Sequence, residues 1–294
     1  MENHTIPERM GLNLKNYLRE KKQLSEITLD SYENDINQYS KYLQSRGIYA
    51  LIRTTQPITR EYLDYLQEQG KSKATIARHV VSLKALYSFA VVDGTFGENL
   101  MFGVKALINK RKKPKILSVF EIDLIINQPD TTHAKGLRDR AILELLYTSG
   151  IKMSEMVNLN MEDINLKKGT IVCISARKKR VTCLTKETLS VFDTYIKYGR
   201  NKLINNPKDN AVFINYAGYR VTRQGIWKEF KVYITQAKIK KKVTPSMLRD
   251  SMAAHLVQNG ANIDLVGEFL GHKHKESTKV FKKFIPSQTV NSDT

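Results

Sequence analysis

Apolar side chains recur at spacings of three and four along residues 10–93: Leu12, Leu14, Tyr17 and Leu18; then Leu29, Tyr32, Ile36, Tyr39, Tyr42 and Leu43; then Tyr62, Leu63, Tyr65 and Leu66; then Ile76, Val80, Leu83, Leu86, Phe89 and Ala90. That is the period of one helical face, so the pattern predicts four amphipathic helices forming a small all-helical unit. The punctuation agrees, with Ser25 and Thr28 ahead of the second helix, Gly47 after it, and Asp93-Gly94 closing the fourth. Periodicity then lapses over residues 94–118, where NKRKKPK sets Lys110, Arg111, Lys112, Lys113 and Lys115 beside a proline that resists helix formation, and a basic linker is expected. Further on, helical patterns at 119–126 and 135–149 give way to β-rich runs at 169–175 and 181–184, which flank a basic turn of Arg177, Lys178, Lys179 and Arg180 and predict a hairpin. Helical spacing returns near 186–204, 222–237, 245–259, 263–270 and 276–284, with 211–216 as a further strand candidate. The expected fold is mainly α with a small antiparallel sheet. Its domains are a helical amino-terminal domain over 9–95, a basic linker over 96–117 and a mixed α+β domain over 118–294.

Charge changes the picture from architecture to partner. Among 294 residues, 48 Lys and Arg stand against 29 Asp and Glu, a formal charge of +19, and an excess of that size favours a polyanion such as nucleic acid. The positive residues are spread over many segments instead of one amphipathic stretch, which argues against a membrane surface as the partner. The opening MENHTIPERMGLNL has no apolar core of signal-peptide length, and a cytoplasmic, nucleoid-associated protein is expected. Cys173 and Cys183 are expected to be reduced, buried thiols. No spacing of the CxxC or HExxH kind appears, so neither a metal nor another cofactor is expected.

Three blocks carry a resemblance. LSEITLDSYENDINQYSKYLQSRG, ILELLYTSGIKMSEMVNLNMEDIN and TPSMLRDSMAAHLVQNGANIDLVGEFLGHKHKESTKVFKKF stand in the order and spacing of the tyrosine recombinases and phage integrases, most closely those of Xer type. The resemblance covers nearly the whole chain. It implies an all-α, SAM-like core-binding domain and a tyrosine-recombinase catalytic-type domain that close together around double-stranded DNA. In that family a tyrosine hydroxyl attacks a backbone phosphate, two arginines hold the phosphate oxygens, a hairpin lysine protonates the leaving oxygen and histidines assist.

Position by position, the first arginine falls on Lys152, which keeps the charge and loses the two-pronged donor. The hairpin lysine position falls near Ser175, with Lys178 as a displaced substitute. The leading histidine becomes Ser246, the second arginine is kept as Arg249, the histidine after it becomes Asp250, and the histidine of LGH is kept as His272. The tyrosine position lands on Phe281, which has no oxygen to attack with. These replacements imply a chain that is not an enzyme and binds specific duplex DNA as a phage or mobile-element repressor or regulator. The alternative is a recombinase, or a recombination accessory protein, working through a displaced nucleophile or an active partner. Expected DNA contacts are Thr28, Ser31, Asn34, Lys73, Thr75, Arg78, His79 and Lys84 in the first domain, and Lys112 and Lys113 in the linker. In the second domain they are Lys152, Arg177, Lys178, Lys179, Arg180, Lys241, Lys242, Arg249 and His272. A DNA-bound homodimer and a regulatory protein or peptide are further candidate partners.

Overall fold

A computed structural model describes residues 8–24, 26–105, 114–175, 178–272 and 275–286. The chain divides into two compact units, Met1–Arg111 and Lys112–Thr294.

Among its described residues unit 1 holds four helices, α1 (Glu8–Lys22), α2 (Glu26–Ser45), α3 (Gln56–Glu68) and α4 (Lys73–Val92), with a 3₁₀ turn at Leu51–Arg53. Local chemistry fixes their ends. Ser72 caps α4 by accepting from the Thr75 amide, a proline sits in the first turn of α3, and Gly47 and Gly70 close α2 and α3 at φ 73° and 69°, where a side chain would be strained. The apolar stripes meet in one core that includes Leu18, Leu43, Tyr62, Leu83 and Leu86. Inside it, Tyr39 and Tyr87 share a hydroxyl contact of 2.8 Å and reach Thr59 at 3.0 Å and Thr54 at 2.9 Å, so the buried phenols are answered without water. Helix α4 is long and apolar enough by composition to cross a membrane, but its apolar face, with Leu83, Leu86 and Tyr87 fully buried, is the centre of this core.

Unit 2 opens with α5 (Val119–Ile126), capped reciprocally by Ser118 and Glu121, then α6 (Ala134–Thr148) and the short α7 (Met153–Val157). An antiparallel sheet of order β1-β2-β3 follows, made of β1 (Ile164–Asn165), β2 (Thr170–Ser175) and β3 (Lys178–Cys183). The hairpin register pairs Cys173 with Arg180 and Ser175 with Lys178. After it come α8 (Lys186–Thr194), a π-helical turn at Tyr195–Arg200, α9 (Asn201–Leu203), α10 (Arg223–Gln236), α11 (Pro245–Gln258) and α12 (Ile263–Phe269). The main core joins α5, α6, β2 and α11 through residues such as Ile125, Leu145, Ile171 and Leu248; a smaller one gathers Met252, Val257, Val266, Leu270 and Phe281. The fold is mainly helical with one small antiparallel sheet, as the periodicities predict.

Four expectations change. The stretch expected as one helix over 186–204 passes through the π turn, where Tyr195 sends its hydroxyl to the Val212 carbonyl at 2.9 Å. Residues 211–216 make only isolated bridges, Asn160 with Ala211 and Ile214 with Arg220, in place of a strand. The segment expected as a helix at 276–284 forms 3₁₀ turns at Lys275–Ser277 and Lys279–Phe284. Cys173 is buried, whereas Cys183 is exposed, and both are free thiols.

Candidate functional site

The second unit brings Lys152, Arg180, Arg249 and His272 into one neighbourhood, organised by a residue that spacing alone did not reveal. Glu155 lies on α7 and is almost wholly buried. Its Oε1 accepts from Arg180 Nη1 at 2.8 Å and lies 3.6 Å from Lys152 Nζ, while its Oε2 accepts from the Lys152 amide at 2.9 Å. Burial alone would raise the Glu155 carboxyl, but the Arg180 hydrogen bond, the Lys152 amide and the two positive charges outweigh it and hold the group below the ordinary glutamate range. Arg180 also donates through Nε to the Phe269 carbonyl and through Nη2 to the Gly150 carbonyl, both at 3.2 Å. The loop after α12 comes close to Arg180 because it carries Gly271, at φ 64°; a Cβ there would lie 3.0 Å from Arg180 Cδ.

Arg249 enters from α11 and is the least compensated charge of the group. It is 8% exposed, Nη2 donates to the Leu270 carbonyl at 2.6 Å, and Nη1 is buried with no partner among the described residues. Burial first, and the charge of Arg180 second, push its pKa down to about 10, so the guanidinium stays charged at neutral pH. A buried cation with an unused donor is expensive, and an anion seated there would relieve the cost. Next along α11, Asp250 is half-buried; burial raises its carboxyl despite the neighbouring Arg249. His272 holds Thr278 through Nδ1, 2.8 Å from Oγ1, which fixes the ring at the end of the loop. Phe281 is 2% exposed and packs in the small core near Phe284, with ring centroids 6.5 Å apart, so residue 281 presents a hydrocarbon ring. Ser246 sits exposed on the first turn of α11.

Arg180, expected as a hairpin contact to DNA backbone, is instead committed to Glu155 and two carbonyls, because the β2–β3 register turns its side chain inward. Lys179 is exposed, Lys242 is exposed, and Lys241 is exposed but pairs with Glu121 at 2.7 Å. Lys112, Lys113, Arg177 and the Lys178 side chain lie outside the described residues.

In unit 1, Asn34, Lys73 and Arg78 are exposed on α2 and α4, with Thr28, Ser31, Thr75 and Lys84 half-buried around them. His79 does not belong to that surface. It is fully buried, with Nδ1 3.2 Å from the Tyr62 hydroxyl and Nε2 3.2 Å from Asp35 Oδ1, because the helical period turns residue 79 toward α2. Among the described residues, no group of His, Cys, Asp and Glu is arranged to hold a metal ion.

Comparison with known proteins fits this geometry. Residues 115–284 match the phage integrase family, and residues 13–94 match the phage integrase amino-terminal SAM-like domain. The tyrosine recombinase XerD of Oceanobacillus iheyensis is 35% identical over 271 residues, and that of Staphylococcus haemolyticus is 34% identical over 266; 90% of each chain is covered in both cases. The XerH site-specific recombinase bound to a palindromic difH substrate shares the fold at TM-score 0.73 with 20% identity, over 94% of this chain and 81% of that one. So does a Tn1549 transposon integrase in complex with transposon right-end DNA, a variant with phenylalanine in place of one tyrosine, at TM-score 0.70 and 18% identity over 92% and 94% of the chains. The expectation that the chain is not an enzyme is overturned here: relatives 34–35% identical over nine-tenths of their length are named tyrosine recombinases, and tyrosine recombinases are enzymes that cut and rejoin DNA.

Proposed function

The chain belongs to the phage integrase family, within the Xer-type tyrosine recombinases, and on that premise we propose that it acts in site-specific recombination of double-stranded DNA. The observation that carries this reading is the buried Arg249, whose Nη1 has no partner among the described residues, with Arg180 and Lys152 adding positive charge nearby. Such a seat suits a backbone phosphate: Arg249 supplies the unused donor, Arg180 and Lys152 supply charge, and His272 stands near to pass a proton. Phe281 offers no oxygen, so the attacking hydroxyl in this reading belongs to another residue or to a partner recombinase assembled on the same site. In unit 1, the exposed α2–α4 face with Asn34, Lys73 and Arg78 makes the sequence-bearing contacts, and Lys179 and Lys242 neutralise backbone phosphates.

A duplex nicked near the cleavage point, which loses a short fragment once cut, tests the proposal by trapping covalent protein–DNA intermediates. Expected is an adduct stable to denaturant and formed by this chain alone or only when an active Xer-type recombinase is added. Specific binding at promoters, with no adduct and no strand exchange under either condition, would replace the proposal with a purely regulatory one.

A further inference from the structure

Four side chains of unit 1 meet between α2, α3 and α4. Asp35 is fully buried on α2, and its carboxylate faces three residues of α4: Arg78 Nη1 donates to Oδ1 at 2.6 Å, Ser82 Oγ donates to Oδ2 at 2.7 Å, and His79 Nε2 lies 3.2 Å from Oδ1. Burial pushes the His79 pKa down against the pull of Asp35, so the ring is neutral and Arg78 carries the positive charge that balances the carboxylate. Yet Arg78 is not itself buried. Its side chain is 42% exposed, and among the described residues only Nη1 is engaged, by Asp35 and by the Ser31 carbonyl at 3.1 Å. The opposite edge of the planar group, Nε and Nη2, remains open. A guanidinium pinned at one nitrogen and open along an edge is a two-pronged donor whose direction is set before any ligand arrives.

We propose that Arg78 reads a guanine in the major groove through Nε and Nη2, and that Asp35 is the positioning residue that aims it; this rests on the duplex-DNA reading above. The chemistry selects the base. Guanine presents two acceptors side by side, N7 and O6, which match the fork, whereas adenine places a donor where the second acceptor would be. A phosphate could also accept from both nitrogens but would give no preference among sequences.

The test is selection of bound duplexes from a randomised pool by the full chain at one fixed salt concentration, followed by the same selection with variants. Arg78→Lys keeps the charge and removes the fork. It is expected to cut the preference for guanine at one position of each recognition sequence by roughly 5- to 150-fold while leaving the other positions unchanged. Asp35→Asn is expected to flatten the same position by a smaller factor and to add nothing in the Arg78→Lys background, a pattern that mere loss of stability would not produce. Should Asp35→Asn fail to fold by circular dichroism, Arg78→Lys decides. An equal loss of affinity across all sequences in Arg78→Lys, or no change at any position, overturns the inference and leaves the parent reading standing. Failure of the wild-type chain to enrich any duplex overturns both.

Discussion

Each unit buries one carboxylate among basic groups, and the two arrangements end differently. Around Asp35 the charge is balanced by a single arginine whose side chain is 42% exposed, and the buried nitrogen without a hydrogen-bond partner among the described residues, His79 Nε2, belongs to a ring that burial keeps neutral. Around Glu155 three cations, Lys152, Arg180 and Arg249, share a neighbourhood with one buried carboxylate, and the buried atom without a partner among the described residues is a charged guanidinium nitrogen. A neutral orphan costs little and can persist as scaffold; a charged orphan marks a place that gains free energy when an anion arrives. The first network stiffens a surface, whereas the second is where the proposed phosphate contact would form.

The largest test of that contrast is Glu155→Ala. It leaves Arg180 buried without a counter-charge and should cost about 4 kcal/mol of unit 2 stability, read by urea unfolding through the single tryptophan, Trp227, which lies in that unit. Asp35→Ala should cost less, about 2 kcal/mol, because the abandoned Arg78 can turn into water; unfolding of unit 1 by far-ultraviolet circular dichroism gives the number, and a loss as large as that of Glu155→Ala would break the comparison. Smaller still is Arg249→Met. It should leave stability within about 1 kcal/mol of wild type, or raise it, while removing the roughly 1.4 kcal/mol that sulfate at ten times its Kd should add to the parent chain. A parent chain indifferent to sulfate would remove the seat. The gentlest probe is acid. Both His79 and Glu155 have folded pKa values below their ordinary ones, so each contributes stability that is complete above its unfolded value and fades as pH falls through the folded one. Unit 1 should therefore begin to soften below about 6.5, and the Glu155 contribution only below about 4.3. Trp227 fluorescence and circular dichroism recorded on one acid titration should separate in that order.

The helices and the hairpin were legible because burial is periodic, and the stripes that contain Leu18, Leu43 and Leu86 are the ones that close the first core. Lys152, Arg249, His272 and Phe281 could be named from blocks of similar residues. Glu155 and the inward role of Arg180 were not legible, since their pairing spans 25 positions and depends on a strand register that no local spacing encodes. His79 was misplaced for a related reason: a polar residue next to an exposed arginine looks like surface until the helical phase shows that it faces Asp35 and Tyr62. The two-residue β1 has too few positions to show a period, and Tyr195–Arg200 keeps a helical pattern while its backbone adds a residue to the turn.

Gly271 bears on how such a site can be lost. Its missing side chain is the space that Arg180 occupies on its way to Glu155, with Cδ, Nη1 and Nε lying 3.0 to 3.3 Å from where a methyl would stand. An alanine there would carry no charge, yet the backbone conformation and the crowded arginine would both have to yield. The most economical way to detune the electrostatics of this neighbourhood is thus a single uncharged methyl group, which would leave every charged residue of the sequence in place.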